Sequence, residues 1–315
     1  MKKSIIALAV AGALTAPMVA QADATLYGKF EMRVVDAENA DLEVQSDDFR
    51  VGVKGDSDIA GGSKALFNLE LEVNPENPTS SNSATADTSA TNAVVRKAYV
   101  GATGDWGTAL IGRIANPAEQ IVGFTGNNSE LLPHDLNPDH LGSAIAYVTP
   151  GMGGFTGYAA IVAEGEGNDA QDNVDGKLIG GSFAAGGLTV AASYWSFTDT
   201  YVAGADSLSL AQIGGQYSID MTTIGLSYAK RDNADGTTED KVVGLRVDQK
   251  IGDLTLGANY FDYDFDSSSI DNQYGLFAVY NLGAQAYLDF EYTDLSADLA
   301  ADEDKIMSVG YTVKF

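Results

Sequence analysis

The chain has 315 residues and a formal net charge of −26, with 44 acidic against 18 basic residues. So large an acidic excess argues against nucleic-acid binding, which requires a basic surface, and it favours cations as partners. The absence of cysteine excludes disulfides and thiol chemistry. Glycine is abundant and proline scarce, 35 against 7, which suits many strands joined by tight turns.

The first residues predict an export signal. Lys2 and Lys3 precede the apolar run IIALAVAGALTA, and the sequence AQA at 20–22 matches a small-residue cleavage site. A membrane-spanning helical anchor is the alternative, and it is disfavoured because the apolar run is short. We therefore expect a cleaved signal peptide at 1–22 and a mature domain at 23–315.

The mature chain alternates between apolar and polar side chains, the period-2 pattern of a strand with two unlike faces. In TLYGKFEMRVV, a face with Leu26 and Phe30 opposes a face with Lys29 and Arg33. The pattern recurs to the end of the chain and predicts about sixteen strands. They are placed near 24–35, 47–55, 62–73, 93–103, 107–114, 141–149, 154–164, 176–185, 188–199, 208–218, 221–231, 240–251, 254–265, 272–281, 284–295 and 304–315.

The connections between these strands alternate in length. Tight turns such as Gly186-Gly187 are followed by long polar loops such as 200–207. Together with an export signal, this alternation is typical of a transmembrane β-barrel with short periplasmic turns and longer outside loops. A soluble sandwich of this length would need two domains, and no linker divides the chain. We therefore predict an all-β fold, a transmembrane antiparallel β-barrel of about sixteen strands.

One connection differs from the rest. The segment 115–140 holds three prolines, both histidines and four acids, and it far exceeds the usual hairpin loop of about 2–5 residues. Loops of that length inside a regular strand array are usually functional or disordered. We expect this one to fold into the lumen of the barrel.

Several stretches resemble the Gram-negative general, non-specific porins. They are TLYGKFEMRV, RKAYVGATGDWGTALIGR, SAIAYVTPGMGGFTGYAA and the ending VGYTVKF. The resemblance implies a homotrimer of sixteen-stranded outer-membrane channels, with 115–140 as the third loop that forms the constriction. Many enterobacterial members carry Pro-Glu-Phe-Gly-Gly in that loop, where this chain has NPAEQ at 116–120. The loop 74–92 matches in position the one that latches onto a neighbouring subunit. The terminal Phe315 matches the pattern that the barrel-assembly machinery reads.

Basic residues in the first five strands are candidates for the wall of the constriction. An Arg or Lys that faces lipid at mid-depth costs about 2–4 kcal/mol, so the lumen is the cheaper location. The candidates are Lys29, Arg33, Arg50, Lys54, Lys64, Arg96 and Arg113. We expect them to face the loop acids Glu119, Glu130, Asp135 and Asp139 across a narrow eyelet. The alternative is local ion pairing with wall acids such as Glu31, Glu70 and Glu72.

Other features favour simpler interpretations. His134 and His140 lack the convergent register of metal ligands, and no metal or cofactor is expected. The segment DNADGTTED does not fit a calcium loop, because Arg231 falls at the first ligand position. The acidic outer loops could still bind divalent cations weakly and bridge to lipopolysaccharide. Aromatics near strand ends suit the interfacial girdles of a barrel: Tyr99, Trp106, Tyr147, Phe155, Tyr158, Trp195 and Tyr228.

These observations predict a passive diffusion channel for small hydrophilic solutes and ions, with a mild cation preference from the net acidity. A substrate-selective channel is the alternative. Selection of oligosaccharides would show as a line of aromatics along the lumen, and selection of phosphate as lysines on the inner loop, which has none. A barrel enzyme would need a histidine paired with Ser or Asp near the rim. An adhesin would show large folded insertions.

Overall fold

The computed structural model describes residues 23–73, 93–126, 136–163, 174–198, 207–232, 238–265, 270–297 and 305–315. The predicted signal peptide and the loop 74–92 lie outside this part of the chain, as do Glu130, His134 and Asp135. Among the described residues, no helix has the length and apolar character needed to cross a membrane.

Sixteen strands account for nearly all the described residues. They are β1 Asp23–Ala37, β2 Glu43–Ile59, β3 Ser63–Val73, β4 Ala93–Gly104, β5 Gly107–Ala115, β6 His140–Val148, β7 Phe155–Val162, β8 Gly176–Ala185, β9 Leu188–Thr198, β10 Ser207–Ile219, β11 Thr222–Asp232, β12 Glu239–Ile251, β13 Leu254–Phe265, β14 Ile270–Asn281, β15 Ala286–Ala297 and β16 Lys305–Lys314. Each pairs antiparallel with its sequence neighbour, and β1 also pairs with β16, so the sheet closes into a barrel. The predicted fold class is confirmed.

The alternation of the sequence becomes the two faces of the barrel wall. In β1, Leu26 and Val34 are 49% and 42% exposed on the outer face, whereas Glu31 and Arg33 are 0% and 2% exposed on the inner face. Apolar side chains thus point outward and polar ones inward. A closed barrel also pairs every wall strand on both edges, which satisfies the backbone groups where no water is available.

The barrel closes where the end of the chain meets its beginning. The Gly28 amide donates to the Phe315 carbonyl at 3.0 Å, and the Phe315 amide donates back at 3.2 Å. The ring of Phe315 lies over Gly28, where a Cβ would sit 2.4 Å from the ring. The same ring meets Phe30 edge to face at 5.2 Å between centroids. A glycine at position 28 therefore lets the terminal ring cover the seam.

Some of the predicted girdle aromatics face the lumen instead. Tyr158 and Trp195 are 6% and 0% exposed and belong to a buried apolar cluster inside the barrel, against which Tyr99 also packs. Strand alternation explains the correction, because the neighbouring Tyr194 is 50% exposed and takes the outer face. The other aromatics of that prediction are exposed: Trp106, Tyr147, Phe155 and Tyr228.

The inner wall from β6 to β10 is unusually apolar for a barrel lumen. Its cluster comprises Leu141, Ala144, Ala146, Tyr158, Ala160, Val162, Leu178, Trp195, Phe197 and Leu210, joined by Ile114 and Ala118. Ala118 belongs to the long connection between β5 and β6. This apolar wall therefore provides a hydrophobic surface inside the barrel on which that connection packs.

Candidate functional site

Asn116 ties together the two ends of the inner loop. Its backbone amide donates to the carbonyl of Asp139 at 2.9 Å, and its Nδ2 donates to the carbonyl of Pro138 at 2.8 Å. Its Oδ1 accepts from the Ala118 amide at 2.9 Å and so caps the short 3₁₀ helix Pro117–Glu119. The loop therefore leaves and rejoins the wall through one hydrogen-bonded root.

From this root the chain runs along the inner wall. The helix Gln120–Gly123 follows, and the side chains of Ile121 and Phe124 are 1% and 7% exposed. Both pack against Ala191 on β9, which belongs to the inner face. The first part of the predicted loop thus lies inside the barrel. Residues 127–135 lie outside the described residues.

Two of the predicted wall bases share one carboxylate. The Nζ of Lys29 lies 2.6 Å from Asp48 and 2.5 Å from Glu31. Arg50, on β2, also pairs with Asp48. Register explains the meeting, because Lys29 and Arg50 are direct cross-strand partners on the inner face.

Arg33 is the most enclosed of the predicted bases. Its guanidinium lies 2.8 Å from Glu31, 2.7 Å from Asp289 and 3.6 Å from Glu291. It also donates to the Ser308 hydroxyl at 2.8 Å. The side chain of Arg33 is 1% exposed, so this cluster joins β1, β15 and β16 through buried charges.

A β-bulge on β4 brings two consecutive bases, Arg96 and Lys97, to the same acid of the wall. Glu70 pairs with Lys97 and Leu71 with Val95, so Arg96 is the extra residue on β4. A bulge of this kind changes the facing of the residues around it. Both Arg96 and Lys97 consequently reach Glu70, at 3.5 Å and 3.1 Å. Arg96 also pairs with Glu72.

The remaining predicted bases occupy other places. Lys54 lies over the Tyr27 ring, 5.0 Å from its centroid, and Lys64 pairs with Asp56 at 2.5 Å. Arg113 lies at a register shift between β5 and β6, which falls between Gly112 and Ile114. Its side chain is exposed, and its Nε donates to the Arg96 carbonyl at 3.1 Å. Its lumen position stays a prediction.

Of the predicted loop acids, Glu119 and Asp139 are among the described residues. Burial raises the pKa of Glu119, and the neighbouring Asp139 raises it further. Arg96, Arg50 and Lys97 act on that pKa in the opposite direction. The eyelet stays a prediction, and Glu119 is the described loop acid on which it can be tested.

Sequence reasoning missed Arg246, on β12. Its Nε lies 2.9 Å from Asp248, and its guanidinium stacks over the Phe277 ring at 4.7 Å. One terminal nitrogen donates to the carbonyl of Gly126, on the inner loop. Alternation in GLRVDQK places Arg246 and Asp248 on the same face. A search for wall bases beyond the first five strands would have found this residue.

A line of lumen aromatics does exist, on β13. The rings of Phe261 and Tyr263 are 6.1 Å apart, and Phe265 follows at 5.3 Å from Tyr263. Phe261 and Tyr263 are only 1% and 5% exposed and pack with Val242, and Leu136 of the returning loop packs against them. These rings therefore support the loop. Within the described ranges, no cluster of three or more metal-ligand side chains is positioned to hold an ion.

Comparison with known proteins agrees with this architecture. The family model for Gram-negative porins matches residues 7–299. An outer membrane porin protein of Bordetella pertussis is 23% identical over 99% of this chain and 90% of its own. The anion-selective porin from Comamonas acidovorans aligns with a TM-score of 0.69 at 18% identity, covering 93% of this chain and 100% of that one. The trimer form of OmpT from Vibrio cholerae aligns with a TM-score of 0.68 at 15% identity, covering 94% and 100%. The chain therefore belongs to the Gram-negative porin family, and it is an outer membrane channel, not an enzyme.

Proposed function

We propose that this porin is a passive diffusion channel for small hydrophilic solutes and ions, with a mild preference for cations. A water-filled lumen removes the cost of moving polar groups through hydrocarbon, so the protein needs no chemistry. Size is limited where the inner loop lies against the wall, and charge preference follows from the groups that line the passage.

The proposed cation preference rests on the charges that line the passage, because the wall bases are paired with acids and the loop adds further acids. The wall bases Lys29, Arg33, Arg50, Arg96 and Lys97 are paired with the wall carboxylates Glu31, Asp48, Glu70, Glu72, Asp289 and Glu291. Lys54 lies over the Tyr27 ring instead. The basic ladder is thus compensated within the wall itself. The loop acids Glu119 and Asp139 then add negative charge beside the passage. Glu130 and Asp135 lie outside the described residues, and their part in the eyelet stays a prediction.

Selective channels are less well supported. The aromatics of β13 are buried under the loop, so they present little ring surface to a passing sugar. The inner loop 115–140 contains no lysine to bind phosphate. Open diffusion agrees best with these observations.

The assembly we propose is an exported homotrimer. The trimer form of OmpT supports this state by likeness of fold. The outer face also supports it, because Val100 and Ile111 are 61% and 57% exposed and need an apolar surrounding, either lipid or a second subunit. We further propose cleavage of the signal peptide after Ala22, contact of the outer rim with lipopolysaccharide, and weak binding of divalent cations by the acidic outer loops.

Reconstitution into a planar bilayer under a KCl gradient tests the proposed function. We expect conductance steps in groups of three and a reversal potential whose sign shows selectivity for K⁺ over Cl⁻. We expect no saturable block of the current by added oligosaccharides. A saturable block would favour the selective channel. An anion-selective reversal potential would contradict the charge argument, and folded, inserted protein that conducts nothing would contradict the open pore.

We also propose that Phe315 acts as an assembly signal as well as covering the seam. Phe315→Ala removes the ring from Gly28 and Phe30, which costs about 1 kcal/mol for a partly buried aromatic. Phe30→Ala loses the same edge-to-face contact, and also the stack of Phe30 on Phe49 at 4.0 Å, without changing the chain end. If Phe315 is a signal, Phe315→Ala refolds from urea into detergent with a stability no lower than that of Phe30→Ala, but only Phe315→Ala accumulates poorly in the outer membrane of cells. Equal accumulation of the two variants in the outer membrane would show that Phe315 contributes packing and is not an assembly signal.

A further inference from the structure

Three glycines of the inner wall lie where the inner loop packs against it: Gly214 on β10, Gly225 on β11 and Gly244 on β12. We call this group the glycine seat. A Cβ on Gly225 would lie 1.9 Å from the Phe124 carbonyl oxygen, and one on Gly214 would lie 3.0 Å from Ile121. A Cβ on Gly244 would lie 2.7 Å from the Thr125 hydroxyl. At Gly225 the loop backbone thus approaches the wall too closely for any side chain, whereas at Gly214 and Gly244 side chains of the loop lie against the wall.

Polar contacts hold the loop in this seat. The hydroxyl of Thr125 lies 2.6 Å from that of Ser227 on β11. The amides of Thr125 and Gly126 both donate to the Val122 carbonyl, at 3.0 Å and 2.7 Å, and so fix the last turn of the helix. The carbonyl of Gly126 then points to Arg246.

Arg246 is itself oriented before it meets the loop. Its single Nε–H is shared between the two carboxylate oxygens of Asp248, at 2.9 Å and 3.0 Å, and the Phe277 ring lies beneath the guanidinium. A planar guanidinium held in this way loses little further freedom when it binds a carbonyl. Asp248 also compensates its charge, so the bond to Gly126 fixes a position and leaves the local charge balanced.

We propose that Arg246 is the positioning residue of the inner loop: its bond to the Gly126 carbonyl keeps residues 121–126 in the glycine seat and thereby fixes the cross-section of the open pore. This inference rests on the proposed channel function.

Single-channel recording of Arg246→Gln and Arg246→Lys tests the proposal. Loss of a charge-assisted hydrogen bond should raise the undocked population of the loop about tenfold. We expect Arg246→Gln to show about tenfold more frequent brief closures and a noisier open current. Arg246→Lys retains a donor at this position, so its closure frequency should lie between those of Arg246→Gln and the wild type.

A disulfide provides the rescue. The chain has no cysteine, so Thr125→Cys with Ser227→Cys introduces one bond at the place where the two hydroxyls now touch. In the Arg246→Gln background, the oxidised pair should return the closures to the wild-type rate, and reduction should remove the rescue. A disulfide that forms without changing the closures of Arg246→Gln would overturn the proposal.

Two glycine-to-alanine variants, one inside the glycine seat and one outside it, test whether the seat positions the loop. Gly225→Ala forces a methyl group against the Phe124 carbonyl, whereas Gly151→Ala, in a short turn with nothing within 4 Å, meets no neighbour. We expect altered unitary conductance for the first and wild-type conductance for the second. If wild-type protein does not conduct, the channel function fails. If it conducts and Arg246→Gln behaves like wild type, the positioning role alone fails.

Discussion

Replacing Arg33 by methionine is expected to destabilise the barrel by about 3–5 kcal/mol, the usual result of removing one partner from a buried ion pair. The loss leaves Glu31, Asp289 and Glu291 facing one another without the cation that separates them. Because these acids come from both sides of the closing seam, their repulsion acts on the pairing of β1 with β16. Unfolding in urea, followed by the loss of the heat-modifiable folded band on a gel, measures the effect.

Two comparisons isolate the charge cluster from general damage. Arg33→Lys retains the charge and should recover part of the stability, although it cannot reach three acids in the same way. Lys64→Met removes an ion pair whose lysine is half exposed, and it should change stability little. Equal stability of Arg33→Met and Lys64→Met would show that the cluster is solvated and contributes little.

Acidification is expected to weaken the cation preference. The change should occur at a higher pH than the titration of a glutamate with an ordinary pKa. Burial and Asp139 raise the pKa of Glu119, so its carboxyl takes up a proton above the usual value of about 4.3. Protonation removes a negative charge beside Arg50 and Arg96, and the reversal potential should then move toward the anion side. Reversal potentials recorded from neutral to mildly acidic solution measure the midpoint.

Glu119→Gln is the decisive variant for this titration. It should show a reduced cation preference already at neutral pH and a flatter response to acid. Asp105→Asn, in the exposed short turn between β4 and β5, removes the same charge far from the loop and should leave the titration unchanged. A response to acid that is identical in Glu119→Gln and wild type would assign the effect to other carboxyls.

Much of the fold follows from period-2 patterning, because lipid outside and water inside impose opposite demands on alternate residues. The prediction of 24–35 for the first strand compares with the observed Asp23–Ala37. The second strand is less visible in the sequence: the pattern predicts 47–55, and Glu43–Ile59 is observed. The parts outside the prediction, EVQS and DSDI, are mostly polar on both faces and carry no alternation to detect.

The candidate site was less accessible to sequence reasoning, because facing depends on register. The bulge at Arg96 turns Lys97 inward, and no composition signal marks the extra residue. The register between β5 and β6 also shifts at Arg113, so simple alternation does not give the facing of this base. The importance of Arg246 follows from its contact with Gly126, which is distant in sequence and is brought close only by the folded loop.

The apolar packing of the loop against β6 to β10 has a consequence for screening. That side of the lumen is dry, so the water column is displaced toward the charged wall of β1 to β4. The Debye length is about 8 Å at physiological ionic strength, so a permeating ion that passes this wall is only partly screened from its charges. Concentrated salt shortens this length to about 3 Å at molar strength and leaves the dry packing unchanged. Size exclusion should thus be insensitive to salt, whereas discrimination between cations and anions should fade as salt is added.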